Sequence, residues 1–266
     1  MLRIKGKGAE YGEVWFDEEP EYPLPDILIL RQRASVPFGL PTRQFTSLAN
    51  DLQVSEETLF KSFAKGTRYE IRRASTSDSL DWKVTLAPTR DEISDFVSFY
   101  DKFAAGKGIA RADLHWLTAA ACAASLQLTG ALVENELLVA HAYLVVGARV
   151  RLVYSASHLR EADGSRRSLI GRANRWLHWR DMCHFKELTL ASYDWGGLFD
   201  DELDPTHVSV DRFKKEFGGV SYQSYNATYP LSNRGRIYLA MRSGWLHVFP
   251  RRDRTRFTLL ETDEPA

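Results

Sequence analysis

Three strand-like runs follow one another directly, Leu126–Val133, Leu137–Val146 and Val150–Ser157, separated only by Glu134-Asn135-Glu136 and Gly147-Ala148-Arg149. Links this short join antiparallel neighbours, because a parallel return needs a crossover of roughly a dozen residues. The middle of the chain is therefore a meander, and every other segment has to cover its faces or extend its edges. Trp82 to Leu86 alternates as a strand ahead of it. Thr89-Arg90-Asp91-Glu92 then opens a helix carrying Ile93, Phe96, Val97 and Tyr100, Gly106-Lys107-Gly108 breaks it, and Asp113 caps a second helix, Leu114 to Ala124. After the meander the pattern gives a helix from Ser168 to about Phe185, a strand over Leu188–Tyr193, a short helix and a last strand. The order β-α-α-β-β-β-α-β-α-β predicts a mixed α/β (α+β) class with a central sheet flanked by helices.

Upstream, residues 1–26 are rich in Glu, Pro and Gly and read as a loose leader with one strand near Glu13–Phe16. Asp26–Arg31 is a strand, Pro37 and Pro41 mark a turn region, and Thr46–Ala49 is a weaker strand. Ser55 followed by Glu56 and Glu57 opens a helix on which Phe60, Phe63, Thr67, Ile71 and Ala74 share a face. The polar run Ser75–Ser79 closes this part. At 266 residues, 44% hydrophobic and 26% charged, the chain can bury a core as one large or two small domains, which excludes disordered, collagenous and membrane-spanning classes. With 35 basic and 35 acidic residues it has no global nucleic-acid footprint. Cys122 and Cys183 have no metal-ligand spacing and read as core residues of a reduced protein. The N-terminus has no apolar secretory core and no apolar run is long enough for a bilayer, so the expected location is the cytoplasm with no transmembrane segment.

Two motifs stand out. Tyr193-Asp194-Trp195-Gly196-Gly197 is a strand end running into paired glycines, and Phe213-Lys214-Lys215-Glu216-Phe217-Gly218-Gly219 closes a short helix. Ser209 is expected to cap that helix after Asp204-Pro205, with Val210, Phe213 and Phe217 on its buried stripe, Gly218 as left-handed stop and Lys214 beside the stripe. An Asp-x-Gly-Gly turn ahead of a Phe-Lys-x-x-Phe-Gly-Gly helix resembles the C-terminal half of the peptidoglycan-bridge transferases, the FemAB-like branch of the GNAT acyltransferase superfamily. Phe63-Ala64-Lys65-Gly66-Thr67-Arg68-Tyr69-Glu70-Ile71-Arg72-Arg73-Ala74 is similar to that family's basic helix, so the resemblance runs from roughly Phe45 to Tyr229. It implies a GNAT fold in tandem, with a degenerate N-terminal GNAT-like half over 1–79 and a complete acyltransferase domain over 80–266.

The resemblance also implies acyl transfer to an amine, with no permanently bound cofactor and acyl-CoA as donor cosubstrate. Ser168-Leu169-Ile170-Gly171-Arg172-Ala173 is similar to the loop that cradles the CoA pyrophosphate, but has serine where glutamine or arginine is expected, with Arg166 and Arg167 just upstream to supply charge. The other reading of this segment is close helix packing at Gly171 with solvated arginines. Lys214 matches the family's lysine beside the reacting groups, where an ammonium stabilises an oxyanion; by itself it also suits a lysine stem lying along Phe213 and Phe217. Asp194 can position an amine or simply accept backbone N–H groups in its turn, with Trp195 and Gly196 as neighbours of the substrate. His158, ending the third meander strand, is a candidate general base, whereas His141 reads as a hydrogen-bonded core residue and His178 as packing or surface. Lys65, Arg68, Arg72 and Arg73, with Lys61, either grip a phosphorylated, nucleotide-linked or lipid-linked acceptor or form a solvated face balanced by acids.

The donor alternative is aminoacyl-tRNA with a peptidoglycan-precursor acceptor, although no charged helical hairpin for tRNA is visible; a non-catalytic binding module of the same fold is the third possibility. No metal site is expected, since H-E-x-x-H and related patterns are missing. After Tyr229 the aromatic and basic residues Arg234, Arg236, Tyr238, Arg242, Trp245, Phe249, Arg251 and Arg252 alternate, which suits a final strand and helix with outward arginines or a surface for RNA or anionic lipid.

Overall fold

A computed structural model describes residues 1–6, 8–36, 42–158, 163–199 and 204–248. In chain order its elements are β1 (Leu2–Lys5), β2 (Glu10–Trp15), β3 (Ile27–Arg33), β4 (Arg43–Asp51), α1 (Glu56–Ser62), α2 (Lys65–Ser77), β5 (Asp81–Thr85), α3 (Arg90–Lys107), α4 (Leu114–Cys122), β6 (Leu126–Val133), β7 (Glu136–Val146), β8 (Arg149–Ser157), α5 (Gly164–Glu187), β9 (Ser192–Gly197), α6 (Pro205–Lys215), β10 (Val220–Pro230) and α7 (Asn233–Val248). From β5 onward this is the order expected from periodicity. Pro37, Pro41, Phe249, Arg251 and Arg252 lie outside the described residues, and among those described no helix is long and apolar enough to cross a membrane.

The chain forms two compact units, neither continuous in sequence: one holds Met1–Phe45, Asp113–Ala123 and the chain from Gln223, the other Thr46–Ala112 and Ala124–Tyr222. The expected division into 1–79 and 80–266 is thereby corrected. Residues 46–79 belong with the meander, while α4 and the last strand and helix belong with the N-terminal strands.

In the first unit the strands run β1-β2-β3-β10, antiparallel except for the parallel β2–β3 pair. The leader is thus two paired strands rather than loose chain with one strand. Tyr238 and Leu239 of α7 pack on Ala9, Tyr11, Ile27 and Ile29. Helix α4 is tied in by a buried charge. The Glu13 side chain is fully buried and paired with Arg31 at 3.2 Å, and it accepts indole N–H groups from Trp15 (3.0 Å) and Trp116 (2.8 Å). A buried carboxylate survives only when its lone pairs are matched this way.

In the second unit the order is β4-β9-β8-β7-β6-β5. All pairs are antiparallel except β8–β9, which is parallel and whose register covers only Arg149–Arg151 against Ser192–Asp194. Helix α5 buries Ile170, Ala173, Leu177, Met182 and Phe185 in the core. It starts at Gly164, earlier than expected, because Asp163 caps it, accepting the Arg166 N–H at 2.9 Å. Thr89 and Glu92 form the anticipated capping box of α3, and Gly108 ends it at φ 69°. Helix α6 starts at Pro205 with Asp204 as cap, so Ser209 lies inside it. The single helix expected after Ser55 is two, because Phe63 turns extended (φ −72°, ψ 150°) to bury its ring, 1% exposed, against Trp179 and Phe217. Cys183 is buried as expected; Cys122 is exposed. At the end of α6, Gly218 (φ 71°) and Gly219 (φ 89°) are conformationally required, and a Cβ at Gly219 would lie 2.7 Å from the Ala49 carbonyl oxygen.

Glu13→Ala strands the buried Arg31 and two indole donors, so thermal or urea unfolding is expected to show destabilisation of about 3–5 kcal/mol, whereas Arg3→Ala, which breaks a half-exposed ion pair with Glu10, changes stability by about 1 kcal/mol or less.

Candidate functional site

Because β8 and β9 pair over only three residues, the strands part beyond Arg151 and Asp194, and side chains rather than backbone bonds fill the opening. There a cavity of about 350 Å³ lies within the second unit. A bulge where Tyr154 and Leu152 face consecutive β7 residues brings Leu152 and Ser155 to the same side, and both line the cavity with Ser157. Helix α5 contributes Gly171, Asn174, Arg175 and His178, spaced i, i+3, i+4, i+7 and hence on one stripe. Helix α6 adds Ser209, Val210, Phe213 and Lys214, α3 adds Phe103 and Lys107, and β9 adds Trp195.

Lys214 is the central cation. Its ammonium donates to the Gly197 carbonyl and lies 5.9 Å from the centre of the Phe199 ring. Burial pushes its pKa down to about 8; Arg151 adds to the depression, while Asp211 and Asp194 oppose it. Arg175 stacks over Phe213 at 5.2 Å and pairs with Glu216 at 3.1 Å, and Lys107 lies over Phe103 at 4.7 Å. Three cationic side chains on one apolar-walled cavity suit a ligand carrying negative charge, and an ammonium held in a low-dielectric wall stabilises charge that develops on a carbonyl oxygen.

Of the sequence-derived candidates, the structure brings Lys214, Trp195 and Gly171 to this cavity. Asp194 is 1% exposed and accepts from Ser47 Oγ (2.7 Å), the Gly196 N–H (2.6 Å) and the Tyr222 hydroxyl, which makes it the organiser of a bulge inside β9, where the sequence pattern predicts a strand end and a glycine turn. Gly196, at φ 77°, lies beside Arg151. The His158 ring packs against Phe99 at 4.3 Å and a 47° tilt, and His158 is not among the residues that line the cavity. The phosphate-loop reading of Ser168–Ala173 is corrected: these residues lie inside α5, Ser168 Oγ donates to the Gly164 carbonyl at 3.1 Å, and Ala173 is fully buried in the core. Arg166 pairs with Glu136 at the surface, Arg167 is exposed in the first turn, and the helix N-terminus is already met by the Asp163 carboxylate.

Residues Lys65, Arg68, Arg72 and Arg73 on α2 do not line the cavity either. Arg68 donates to the carbonyls of Lys61 and Phe63, and Arg72 stacks on Phe60 at 5.2 Å. Lys65 and Arg73 are exposed.

Asn174, Arg175, His178 and Lys107 carry functional groups that sequence reasoning passed over. The polar stripe Gly171-Asn174-Arg175-His178 on a helix otherwise rich in buried residues was the available signal. His178, expected as packing or surface, is 1% exposed, and its Nδ1 lies 2.8 Å from the Tyr193 hydroxyl. His141 is the hydrogen-bonded core residue expected, 2.9 Å from Asp181 and 3.1 Å from Asn174.

No family model matches the chain, and no curated protein matches it in sequence. Solved structures do. FemX superposes with a TM-score of 0.54 at 14% identity over 74% of this chain, which spans only 63% of FemX. L-PGS from Bacillus licheniformis superposes with a TM-score of 0.50 at 12% identity, covering 84% of this chain and 74% of that one. The chain therefore shares the fold of FemX and L-PGS.

Proposed function

We propose that the protein is an N-acyltransferase that moves an activated aminoacyl or acyl group to an amine of a phosphorylated cell-envelope precursor by direct attack, without a covalent enzyme intermediate. The observation that carries this reading is the half-buried Lys214 ammonium, its pKa depressed, on the wall of a cavity it shares with Arg175 and Lys107. Attack of a neutral amine on an ester carbonyl develops an oxyanion, and a pre-placed ammonium stabilises it more in the transition state than in the ground state. Arg175 and Lys107 then suit the phosphate of the acceptor or donor. Neither cysteine lines the cavity, which accords with direct transfer.

The donor we favour is aminoacyl-tRNA. The N-terminus of α5, where a CoA pyrophosphate would need free N–H groups, carries the Asp163 carboxylate, which both satisfies the Arg166 N–H and repels an anion. Acyl-CoA is the second reading, supported by Gly171 on the cavity wall. The cell-envelope acceptor rests on the resemblance to the peptidoglycan-bridge transferases.

Calorimetric titration with aminoacyl-tRNA, uncharged tRNA, CoA and acetyl-CoA separates the donors, and binding to none of them favours a non-catalytic module. With the productive donor, Lys214→Ala should lower kcat at least about 100-fold while circular dichroism is unchanged. Transfer by the wild type should fall as pH rises through about 8, where the ammonium is lost; Lys214→Arg, slower at pH 7, should extend the plateau upward, and an unshifted alkaline limb would remove Lys214 from the reaction.

A depressed lysine pKa also has a sign in stability. Between about 8 and the unfolded value near 10.5 the unfolded chain binds the extra proton, so stability rises with pH across that window. Chemical denaturation of the wild type against Lys214→Met should therefore show the wild type gaining about 3 kcal/mol from pH 7 to pH 10.5 relative to the variant.

A further inference from the structure

A row of buried hydroxyl, imidazole and carboxylate groups leads away from the cavity through the core of the second unit. Asp181 of α5, fully buried, accepts the Trp82 indole N–H at 3.0 Å, the Thr129 hydroxyl at 2.9 Å and the Tyr143 hydroxyl at 2.7 Å, with His141 Nδ1 a further 2.9 Å away. The Tyr143 and Tyr193 hydroxyls are 2.8 Å apart, and Tyr193 is 2.8 Å from His178 Nδ1. These directions are not independent. Tyr143 commits its proton to Asp181, so its oxygen receives the Tyr193 proton, and the Tyr193 oxygen in turn receives the His178 Nδ1 proton. His178 is then left with a bare Nε2 lone pair. Among the described residues Nε2 has no hydrogen-bond partner, and His178 lines the cavity that holds Lys214.

On the reading of the cavity given above, we propose that His178 is the general base of the transfer and that Tyr193, Tyr143 and Asp181 form a relay that carries its proton into the core. As the acceptor nitrogen bonds to the donor carbonyl, its N–H bond breaks and the proton passes to Nε2. The Nδ1 proton moves to the Tyr193 oxygen, the Tyr193 proton to Tyr143, and the Tyr143 proton to Asp181. The imidazole ends neutral in its other tautomer and Asp181 ends protonated. When the tetrahedral intermediate collapses, Nε2–H protonates the leaving oxygen and the row runs back, so no proton is gained or lost by the protein. Burial, with His141 stacked 4.2 Å away and Arg175 nearby, holds the His178 pKa well below its usual range. A standing imidazolium is thus disfavoured, and the relay places the proton on an anion instead. Trp195, with its ring centre 4.5 Å from that of His178, and Phe213 and Phe217 fix the plane of the imidazole.

Two measurements test this. In protein labelled with ¹⁵N-histidine, His178 should appear as the Nδ1–H tautomer in the resting state; an Nε2–H resting tautomer overturns the relay whether or not transfer is observed. With the donor and acceptor that the wild type uses, Tyr193→Phe, which keeps the ring and removes the link, should lower kcat about 10- to 100-fold at unchanged KM. It should also turn a curved proton inventory in H₂O–D₂O mixtures into a linear one. A wild type that transfers and a folded Tyr193→Phe variant with the same kcat and inventory would refute the relay while leaving the transferase standing. Absence of transfer by the wild type with every donor would instead refute the transferase and the base role with it.

Discussion

Parallel pairing of β8 and β9 stops after three residues, and the chemistry of the second unit follows from that interruption. A sheet that stays paired presents backbone bonds where a ligand would need space. Once the strands part, the opening has to be walled by side chains. The walls come from the bulged β8, the polar stripe of α5 and the stripe of α6 that carries Lys214. The glycine bulge near the end of β9 belongs to the same device. Gly196 takes a left-handed angle, Asp194 holds it from below, and the carbonyl of Gly197 is left facing the Lys214 ammonium.

Each unit also spends stability on a fully buried carboxylate, Glu13 in the first and Asp181 in the second, and the two are resolved in the same manner. Glu13 is met by two indoles and a guanidinium, Asp181 by one indole, two hydroxyls and an imidazole. The difference lies in what is attached. Glu13 pairs directly with a fixed positive charge and ties helix α4 to its strands. Asp181 has only titratable or neutral partners, and these form a continuous row to a cavity wall. A paired charge is a structural tie, whereas a carboxylate served by movable protons can exchange them.

The elements legible in the sequence were those whose signals are local. The meander was marked by its short turns, α3 by the Thr89–Glu92 capping box, and the stop after α6 by Gly218. Failures occurred where a distant contact outweighs the local pattern. Phe63 leaves a helical path to bury its ring against Trp179 and Phe217, over a hundred positions away in sequence, and no periodicity encodes that. The pattern starts α5 at Ser168, four residues late, because Asp163, which caps it, carries no periodic signal of its own. Lys214 and Trp195, singled out by motifs, line the cavity. Arg175 and His178 do not stand out because a helix interior does not announce which of its stripes faces a cavity, and charge density alone does not distinguish a ligand face from a solvated one on α2.

The make-up of the first unit has a consequence for the order in which the protein can form. Strand β3 finds its antiparallel partner in residues 225–230, and the Tyr11–Ile27 face finds its cover in Tyr238 and Leu239. All of these emerge late from the ribosome. The second unit, complete at Tyr222, is available to fold while the first still lacks a strand and a helix. During that interval β3 has one edge paired to β2 and the other open, so the nascent chain carries an apolar strand, Ile27-Leu28-Ile29-Leu30, with an unsatisfied row of backbone donors and acceptors. Synthesis of β10 and α7 therefore completes the first unit, and a pause before β10 prolongs the exposure of the open edge of β3.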